Sequence, residues 1–176
     1  MISLCVPTRN RPDIFKTMCL SVLETASDPS NIEFAVYRDD DDESVYEFVG
    51  NYSETKGKRI YPNAAMNECM KIGTGPIYLF MPDDIIFHTK GWDQQVLEAF
   101  EKSNDKIIFV YFKDHHAGPK YGAIGCLHKN WVDTVGYIFH PELCRRGDVW
   151  VNEIAKRRNV MSFVFTAFNI IGLINN

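Results

Sequence analysis

Aspartates follow two short apolar runs of the sequence, and their placement is the first indication of a chemical function. Asp39–Asp42 come after the apolar run Ile32–Tyr37, and Asp83 and Asp84 come after the apolar run Ile77–Met81. Adjacent carboxylates repel each other and are costly to remove from water unless a cation or hydrogen-bond donors offset their charge. Their hard oxygen atoms favour Mg²⁺ or Mn²⁺, which proteins often bind together with substrate phosphates. The adjacent pair Asp83 and Asp84 therefore predicts a metal or phosphate-related function.

A further carboxylate, Asp148, follows Gly147 where a helix is predicted to start. It could act as a general base, or it could cap the helix, a position where aspartate is common. The run Asp39–Asp42 has a similar alternative, because aspartates also occur in solvated turns and caps. The residues alone leave these alternatives open.

Short apolar runs alternate with helical patterns along the chain, which is typical of a parallel sheet with crossover helices. Strands are predicted at Ile2–Val6, Ile32–Tyr37, Ile77–Met81, Ile107–Phe112 and Gly122–Leu127, at Arg59–Tyr61 as a short one, and within Val160–Ile174. Helices are predicted from Pro12 onward and at Glu43–Asn51, Pro62–Ile72, Trp92–Phe100, Asn130–Gly136 and Asp148–Arg158. Ligands of open α/β sheets bind beyond the carboxyl ends of the strands, where the aspartates are expected to lie.

The composition is that of an ordinary globular domain. The chain has 176 residues, of which 45% are hydrophobic, and a formal net charge of −4. An aromatic content of 13% argues against disorder, and the acidic balance gives no strong signal for nucleic-acid binding. Five widely spaced cysteines without a C-x-x-C motif predict no disulfide framework or zinc site and favour a cytoplasmic location. Neither a signal peptide nor an apolar stretch of about 20 residues is recognised.

Four segments, taken in order, resemble the family 2 glycosyltransferases of the GT-A fold. They are ISLCVPTRNRPD, IEFAVYRDDDDES, NAAMNECMKIGTGPIYLFMPDDIIF, and GAIGCLHKNWVDTVGY followed by RRGDVWVNEIAKR. The resemblance runs from Ile2 to about Arg158. It implies an α/β fold of the GT-A (Rossmann-like) type, with a mostly parallel central sheet flanked by helices, in a short version. It also implies a single domain over residues 1–176, with a nucleotide-binding half at about 1–90 and an acceptor half at about 91–176.

The resemblance implies roles for the residues around the donor. Pro7, Thr8 and Arg9 would line the nucleoside pocket, where the planar guanidinium could stack on the base. Asp39 would accept a hydrogen bond from the base, which is expected to be uracil. Asp83 would lie near the ribose or the metal. The metal that bridges the diphosphate would be coordinated by Asp84.

Other site residues are expected on the same grounds. Asp148 would be the general base. Donor contacts are expected from Asn63, Asn67, Gly122 and Ala123, and acceptor contacts from His116 and Trp150. Each of these six has a plainer alternative: helix surface for the asparagines, tight strand packing for Gly122 and Ala123, an exposed loop for the histidine, and core packing for the tryptophan.

The implied function is metal-dependent, inverting transfer of a sugar from a nucleotide-sugar to an acceptor hydroxyl. The donor would be a UDP-sugar, the metal Mn²⁺ or Mg²⁺, and the acceptor a glycan, a lipid-linked sugar or another hydroxyl compound. One alternative is a sugar-phosphate nucleotidyltransferase, although VPTRNRPD lacks the glycine-rich loop with which that class commonly opens. The other is a catalytically silent nucleotide-binding module, which the absence of histidine from the short segment Val160–Asn176 would favour.

Overall fold

A computed structural model describes residues 1–113 and 121–170 of the chain. Its strands are β1 (Ile2–Thr8), β2 (Ile32–Asp39), β3 (Asn51–Gly57), β4 (Ile77–Phe80), β5 (Ile85–Phe87), β6 (Phe109–Lys113), β7 (Gly125–His128) and β8 (Met161–Ile170). Its α-helices are α1 (Pro12–Thr25), α2 (Pro62–Ile72), α3 (Trp92–Glu101), α4 (Lys129–Val135) and α5 (Gly147–Arg158). None of the helices in these two stretches has the length and apolar character needed to cross a membrane.

The strands are ordered β3-β2-β1-β4-β7-β6-β8-β5 across an eight-stranded sheet. Strand β1 pairs in parallel with β2 and β4, β2 with β3, and β6 with β8. Strand β7 runs antiparallel between β4 and β6, and β5 runs antiparallel to β8. Parallel pairs outnumber antiparallel ones, which confirms the predicted α/β class with a mostly parallel sheet. The carboxyl ends of β1, β2 and β4 meet at one edge.

Helices cover both faces of the sheet, and this explains why its central strands are mostly apolar. Side chains alternate between the two faces along a strand, so Leu4 and Val6 pack on one side and Cys5 on the other. The first side is completed by α1 and α3, which bury Phe15 and Trp92. The second side is completed by α2, α4 and α5.

Two predicted elements are absent, and two of the observed strands, β3 and β5, were not predicted. The predicted helix over Glu43–Asn51 is wrong, since no helix forms there, and the predicted strand at Arg59–Tyr61 is wrong as well. The strand at this edge of the sheet is instead β3. It is polar because it has only one neighbour and is largely exposed, so it lacks the apolar run by which the other strands were recognised. The preceding segment packs its aromatic side chains, Tyr46 and Phe48, on Phe15.

A buried carboxylate joins three strands at the opposite end of the sheet. Glu33 accepts hydrogen bonds from Ser3 Oγ on β1 at 2.6 Å, from Ser53 Oγ on β3 at 2.9 Å and from the backbone amide of Thr74 at 2.8 Å. Burial alone raises the pKa of Glu33, but these hydrogen bonds outweigh it and hold the pKa below its usual value. The ionised carboxylate therefore stabilises the fold.

We expect Glu33→Ala to lower the free energy of unfolding by about 2–4 kcal/mol at pH 7, because the buried hydroxyl of Ser3 and two part-buried donors lose a charged acceptor. Since the folded-state pKa is depressed, this stabilisation is present above the unfolded pKa of about 4.3 and is lost as the pH falls through the folded pKa. Urea unfolding from pH 7 down to pH 3 measures the difference between variant and wild type. Glu24→Ala, on the exposed side of α1, is the control and should change stability by less than about 0.5 kcal/mol. An equal cost for both substitutions would contradict this account.

Candidate functional site

A cavity of about 740 Å³ opens at the edge where β1, β2 and β4 end. This volume is within the range of small-molecule sites, about 300–1,000 Å³. Its walls come from the last residues of β1 and β2, from the loops after β1 and β4, from segment 59–61 with the start of α2, and from Arg145 before α5. They consist of Pro7, Thr8, Arg9, Arg11, Tyr37, Asp39, Arg59, Ile60, Tyr61, Pro62, Ala65, Met66, Pro82, Asp83 and Arg145. Five of the predicted site residues, namely Pro7, Thr8, Arg9, Asp39 and Asp83, thus lie together.

Asp83 is the most buried charged group of the cavity wall, with a side chain that is only 2% exposed. Thr8 Oγ1 donates a hydrogen bond of 2.7 Å to its Oδ2, and Arg11 Nη2 lies 3.2 Å from its Oδ1. Burial raises the pKa of Asp83 above its usual value, although the Thr8 hydrogen bond and the Arg11 charge oppose the rise. A nearby cation therefore favours the ionised form of this carboxylate.

Asp84 also contacts the guanidinium of Arg11. Its side chain is 31% exposed, and its Oδ2 accepts a hydrogen bond of 3.2 Å from Arg11 Nη1. Within the described parts of the chain, no group of three or more histidines, cysteines or acids could hold a metal. Mg²⁺ is commonly held by one or two carboxylates together with substrate phosphates. The pair Asp83 and Asp84 fits a metal bound in that way, and not an all-protein metal site.

The aspartate run after β2 is divided between the cavity and its supporting loop. Asp39 lines the cavity, and Arg9 Nη1 donates to its Oδ2 at 2.9 Å while also pairing with the exposed Asp41. Asp42 is buried and accepts hydrogen bonds from the backbone amides of Asn10 and Ser44. Burial alone raises the pKa of Asp42, but the hydrogen bonds it accepts lower it to about 2. Asp42 therefore orders the loop that carries Arg9.

Asn63 and Asn67 do not line the cavity, and the structure gives them a role different from the predicted donor contact. Asn63 Nδ2 donates to the backbone oxygen of Leu143 at 2.9 Å. Asn67 Nδ2 donates to the backbone oxygen of Phe139 at 2.7 Å, and its Oδ1 accepts from the amide of Ile138 at 3.0 Å. These amides tie residues 138–143 to α2, and Arg145 follows that segment directly into the cavity wall.

Gly122 is placed by packing and by an asparagine that the sequence analysis did not single out. Gly122 lies before β7, and a Cβ atom there would lie 2.3 Å from Cβ of Tyr111 in β6, so close packing against β6 requires a glycine. Its amide donates to Asn152 Oδ1 at 3.0 Å, and Asn152 Nδ2 donates to its carbonyl at 2.8 Å. Asn152 Nδ2 also donates to the backbone oxygen of Asp148 at 2.8 Å. The sequence signal that could have identified Asn152 is its polar side chain on the buried face of α5, four positions after Asp148.

Asp148 lies in the first turn of α5 and does not line the cavity. The N-cap residue is Arg146, so the capping alternative for Asp148 is wrong. The hydroxyl of Tyr121 donates a short hydrogen bond to its Oδ2. The carboxylate is half-buried, and Arg145, three residues earlier, lines the cavity.

The remaining predicted contacts lie farther from the cavity or outside the described residues. Ala123 is half-buried next to Gly122 and does not line the cavity. Trp150 is half-buried and forms an aromatic cluster with Tyr137 and His140, with ring centroids 5.6 and 6.1 Å away. His116 falls in the stretch 114–120, which the structure does not describe.

The cavity also contains cations that the sequence analysis missed. Four arginines but only two aspartates line it. Arg11 was not predicted as a site residue, and neither were Arg59 and Arg145. Both are exposed and stand in segments without a strong helix or strand pattern, so only the fold shows that they meet. The arrangement favours an anionic ligand whose charge is spread over several groups.

The family model described as Glycosyl transferase family 2 matches residues 3–123. The Staphylococcus aureus TarS 1–349 structure in complex with UDP-GlcNAc superposes with a TM-score of 0.72 at 15% identity, covering 93% of this chain and 55% of that one. The mannosyltransferase PcManGT from Pyrobaculum calidifontis, in complex with GDP-Man and Mn²⁺, gives 0.60 at 12% identity, with 81% and 48% covered. These likenesses show the GT-A fold, and the chain spans about half the length of those proteins. No match was found among curated proteins.

Proposed function

This chain belongs to glycosyl transferase family 2, and from that membership we propose that it transfers a sugar from a nucleotide-sugar to an acceptor hydroxyl. The observation that carries the proposal is the cavity at the carboxyl ends of β1, β2 and β4, which four arginines line together with two buried aspartates. A nucleoside diphosphate offers the matching chemistry, since it combines an anionic diphosphate with a flat base rich in hydrogen-bonding groups. Residues 1–90 would supply most of the donor site, and residues 91–176 would supply Arg145 and the acceptor side.

The base would bind between the ends of β1 and β2. Arg9 donates to Oδ2 of Asp39, and this fixes the carboxylate at the cavity wall. A carboxylate can accept the N3–H of uracil, and a planar guanidinium can stack on a base. We therefore assign the base contacts to Asp39 and Arg9, with a UDP-sugar as the first donor to test. Proteins of the same fold are described with both UDP-GlcNAc and GDP-Man.

The diphosphate would lie on the cationic side of the cavity. Arg59 from the segment before α2 and Arg145 from the segment before α5 line it from different elements, and Arg11 lines it next to the acidic pair. Guanidinium groups suit phosphate because their donors form a planar fork. A Mn²⁺ or Mg²⁺ ion held by Asp83 and Asp84 would supply further charge neutralisation for the departing diphosphate.

Asp148 would remove the proton from the acceptor hydroxyl. That oxygen then forms its bond to the anomeric carbon from the side opposite the diphosphate, while the bond from the carbon to the phosphate oxygen breaks and the nucleoside diphosphate leaves. Tyr121 and Asn152 hold the side chain and the backbone of Asp148, so the base is oriented. This one displacement inverts the configuration of the sugar.

Thermal unfolding with UDP, GDP, CDP and dTDP, each with and without Mn²⁺, tests the proposal. A ligand that binds only the folded state at about 100 times its Kd adds about 2.7 kcal/mol of stability. For a chain of this size that amounts to a rise in Tm of roughly 5–10 °C. We expect UDP with Mn²⁺ to give the largest rise and Asp39→Ala to remove most of it. No response to any nucleotide would refute the proposal, and a response without release of UDP from any UDP-sugar would indicate a silent binding module.

We expect Asp148→Asn to lower the rate of UDP release from a UDP-sugar, with water or an acceptor sugar as the second substrate, by about 10²–10⁴-fold. The asparagine keeps the size of the side chain but cannot take up a proton. The affinity for UDP, measured by calorimetry, should stay within about threefold of that of the wild type. Glu153→Gln, on an exposed position of the same helix, is the matched control. A wild-type rate for Asp148→Asn would show that another group is the base.

A further inference from the structure

Arg11 binds both carboxylates of the acidic pair with one side chain. Its Nη2 lies 3.2 Å from Asp83 Oδ1 and its Nη1 lies 3.2 Å from Asp84 Oδ2. The guanidinium thereby bridges two neighbouring carboxylates in the way that a divalent cation would. The side chain is 47% exposed and lines the cavity, whereas Asp83 is buried behind it.

The carboxylate oxygens of Asp83 and Asp84 cannot bind the guanidinium of Arg11 and a divalent cation strongly at the same time. A cation at Asp83 and Asp84 would be next to the positive charge of Arg11, and like charges a few ångströms apart repel each other. The guanidinium is tethered to the chain, so it competes at a high local concentration. The ion can therefore bind well only when Arg11 leaves the pair.

We propose that Arg11 is an exchangeable cation of this site. Its guanidinium holds Asp83 and Asp84 while the cavity is empty of nucleotide, and it moves to the diphosphate when a divalent cation takes the carboxylates. The inference rests on the proposed function, because the diphosphate of the donor is the anion that receives Arg11. It assigns to Arg11 a coupling between metal binding and donor binding.

The geometry permits this exchange without disturbing the buried carboxylate. Arg11 contacts Oδ1 of Asp83, whereas Thr8 Oγ1 donates a hydrogen bond to Oδ2. The hydrogen bond from Thr8 therefore keeps Asp83 oriented when the guanidinium departs. Arg11 stands in the loop just before α1, and its half-exposed side chain can rotate into the cavity that it already lines. A diphosphate there offers new acceptors for the same donor fork.

Mn²⁺ binding to the nucleotide-free protein tests the exchange, measured as the free-ion signal in electron paramagnetic resonance. Removing the competitor should make Arg11→Gln bind Mn²⁺ at least about tenfold more tightly than the wild type. Arg11→Lys keeps a point charge that cannot bridge both carboxylates, so its affinity should lie in between, about threefold above that of the wild type. Lys16→Gln removes one positive charge from α1 at a site paired with Glu47, and it should leave the affinity unchanged.

A second titration in the presence of UDP measures the coupling. UDP should raise the Mn²⁺ affinity of both proteins, and the increase should be about tenfold larger in the wild type than in Arg11→Gln. The reason is that only the wild type has an Arg11 that can leave the carboxylates for the diphosphate. Mn²⁺ must raise the UDP affinity by the same factor in each protein, since coupling is reciprocal. Thermal unfolding of each variant checks that it is folded, and Arg11→Lys decides the question if Arg11→Gln does not fold.

The outcomes separate this inference from the proposed function. Mn²⁺ affinity that is equal to or weaker than that of the wild type in Arg11→Gln, or in Arg11→Lys where that variant decides, overturns the exchange. If UDP still binds in that case, the nucleotide-sugar function stands. Tighter Mn²⁺ binding by Arg11→Gln together with no UDP binding by any variant supports displacement of Arg11 by the ion but refutes the proposed function and the transfer to a diphosphate.

Discussion

The site depends on one carboxylate that is almost wholly buried at the end of β4. A buried charge requires hydrogen bonds and a counter-charge, and Asp83 receives them from Thr8 and Arg11. Both partners lie at the end of β1, the parallel neighbour of β4, which pairs Cys5 with Phe80 three residues earlier on each strand. The pairing of these strands therefore places the charge, its hydrogen-bond donor and its cation at one edge of the cavity.

Asparagine side chains connect the other half of the chain to that edge. Asn63 and Asn67 bind the backbone of residues 138–143, and Arg145 follows this segment into the cavity wall. Asn152 joins the backbone of Gly122 to that of Asp148. A carboxamide is suited to this role, because it donates and accepts at once and so satisfies buried backbone groups in irregular segments. These contacts tie the segment before Arg145 to α2 and tie Gly122 to the start of α5.

The sequence was sufficient for the parts of the fold that follow from local patterns. Helix α2 begins at Pro62 and ends before Gly73 as predicted, and the apolar run before Pro82 forms the buried strand β4. The exposed edge strand β3 could not be recognised, because its polar side chains carry no apolar pattern. The cationic wall was missed for a different reason: Arg59 and Arg145 are 86 positions apart in the printed sequence and meet only in the fold. Asn67 was assigned to the donor because a helix position alone does not reveal which backbone groups lie opposite.

Anomalous diffraction at the manganese edge, from crystals grown with UDP and Mn²⁺, tests the central claim most directly. The account predicts one manganese peak at about 2.0–2.2 Å from a carboxylate oxygen of Asp84, with the diphosphate in the cavity among Arg11, Arg59 and Arg145 and the base next to Asp39. A nucleotide bound elsewhere, or a diphosphate in the cavity with the manganese away from Asp83 and Asp84, would contradict it.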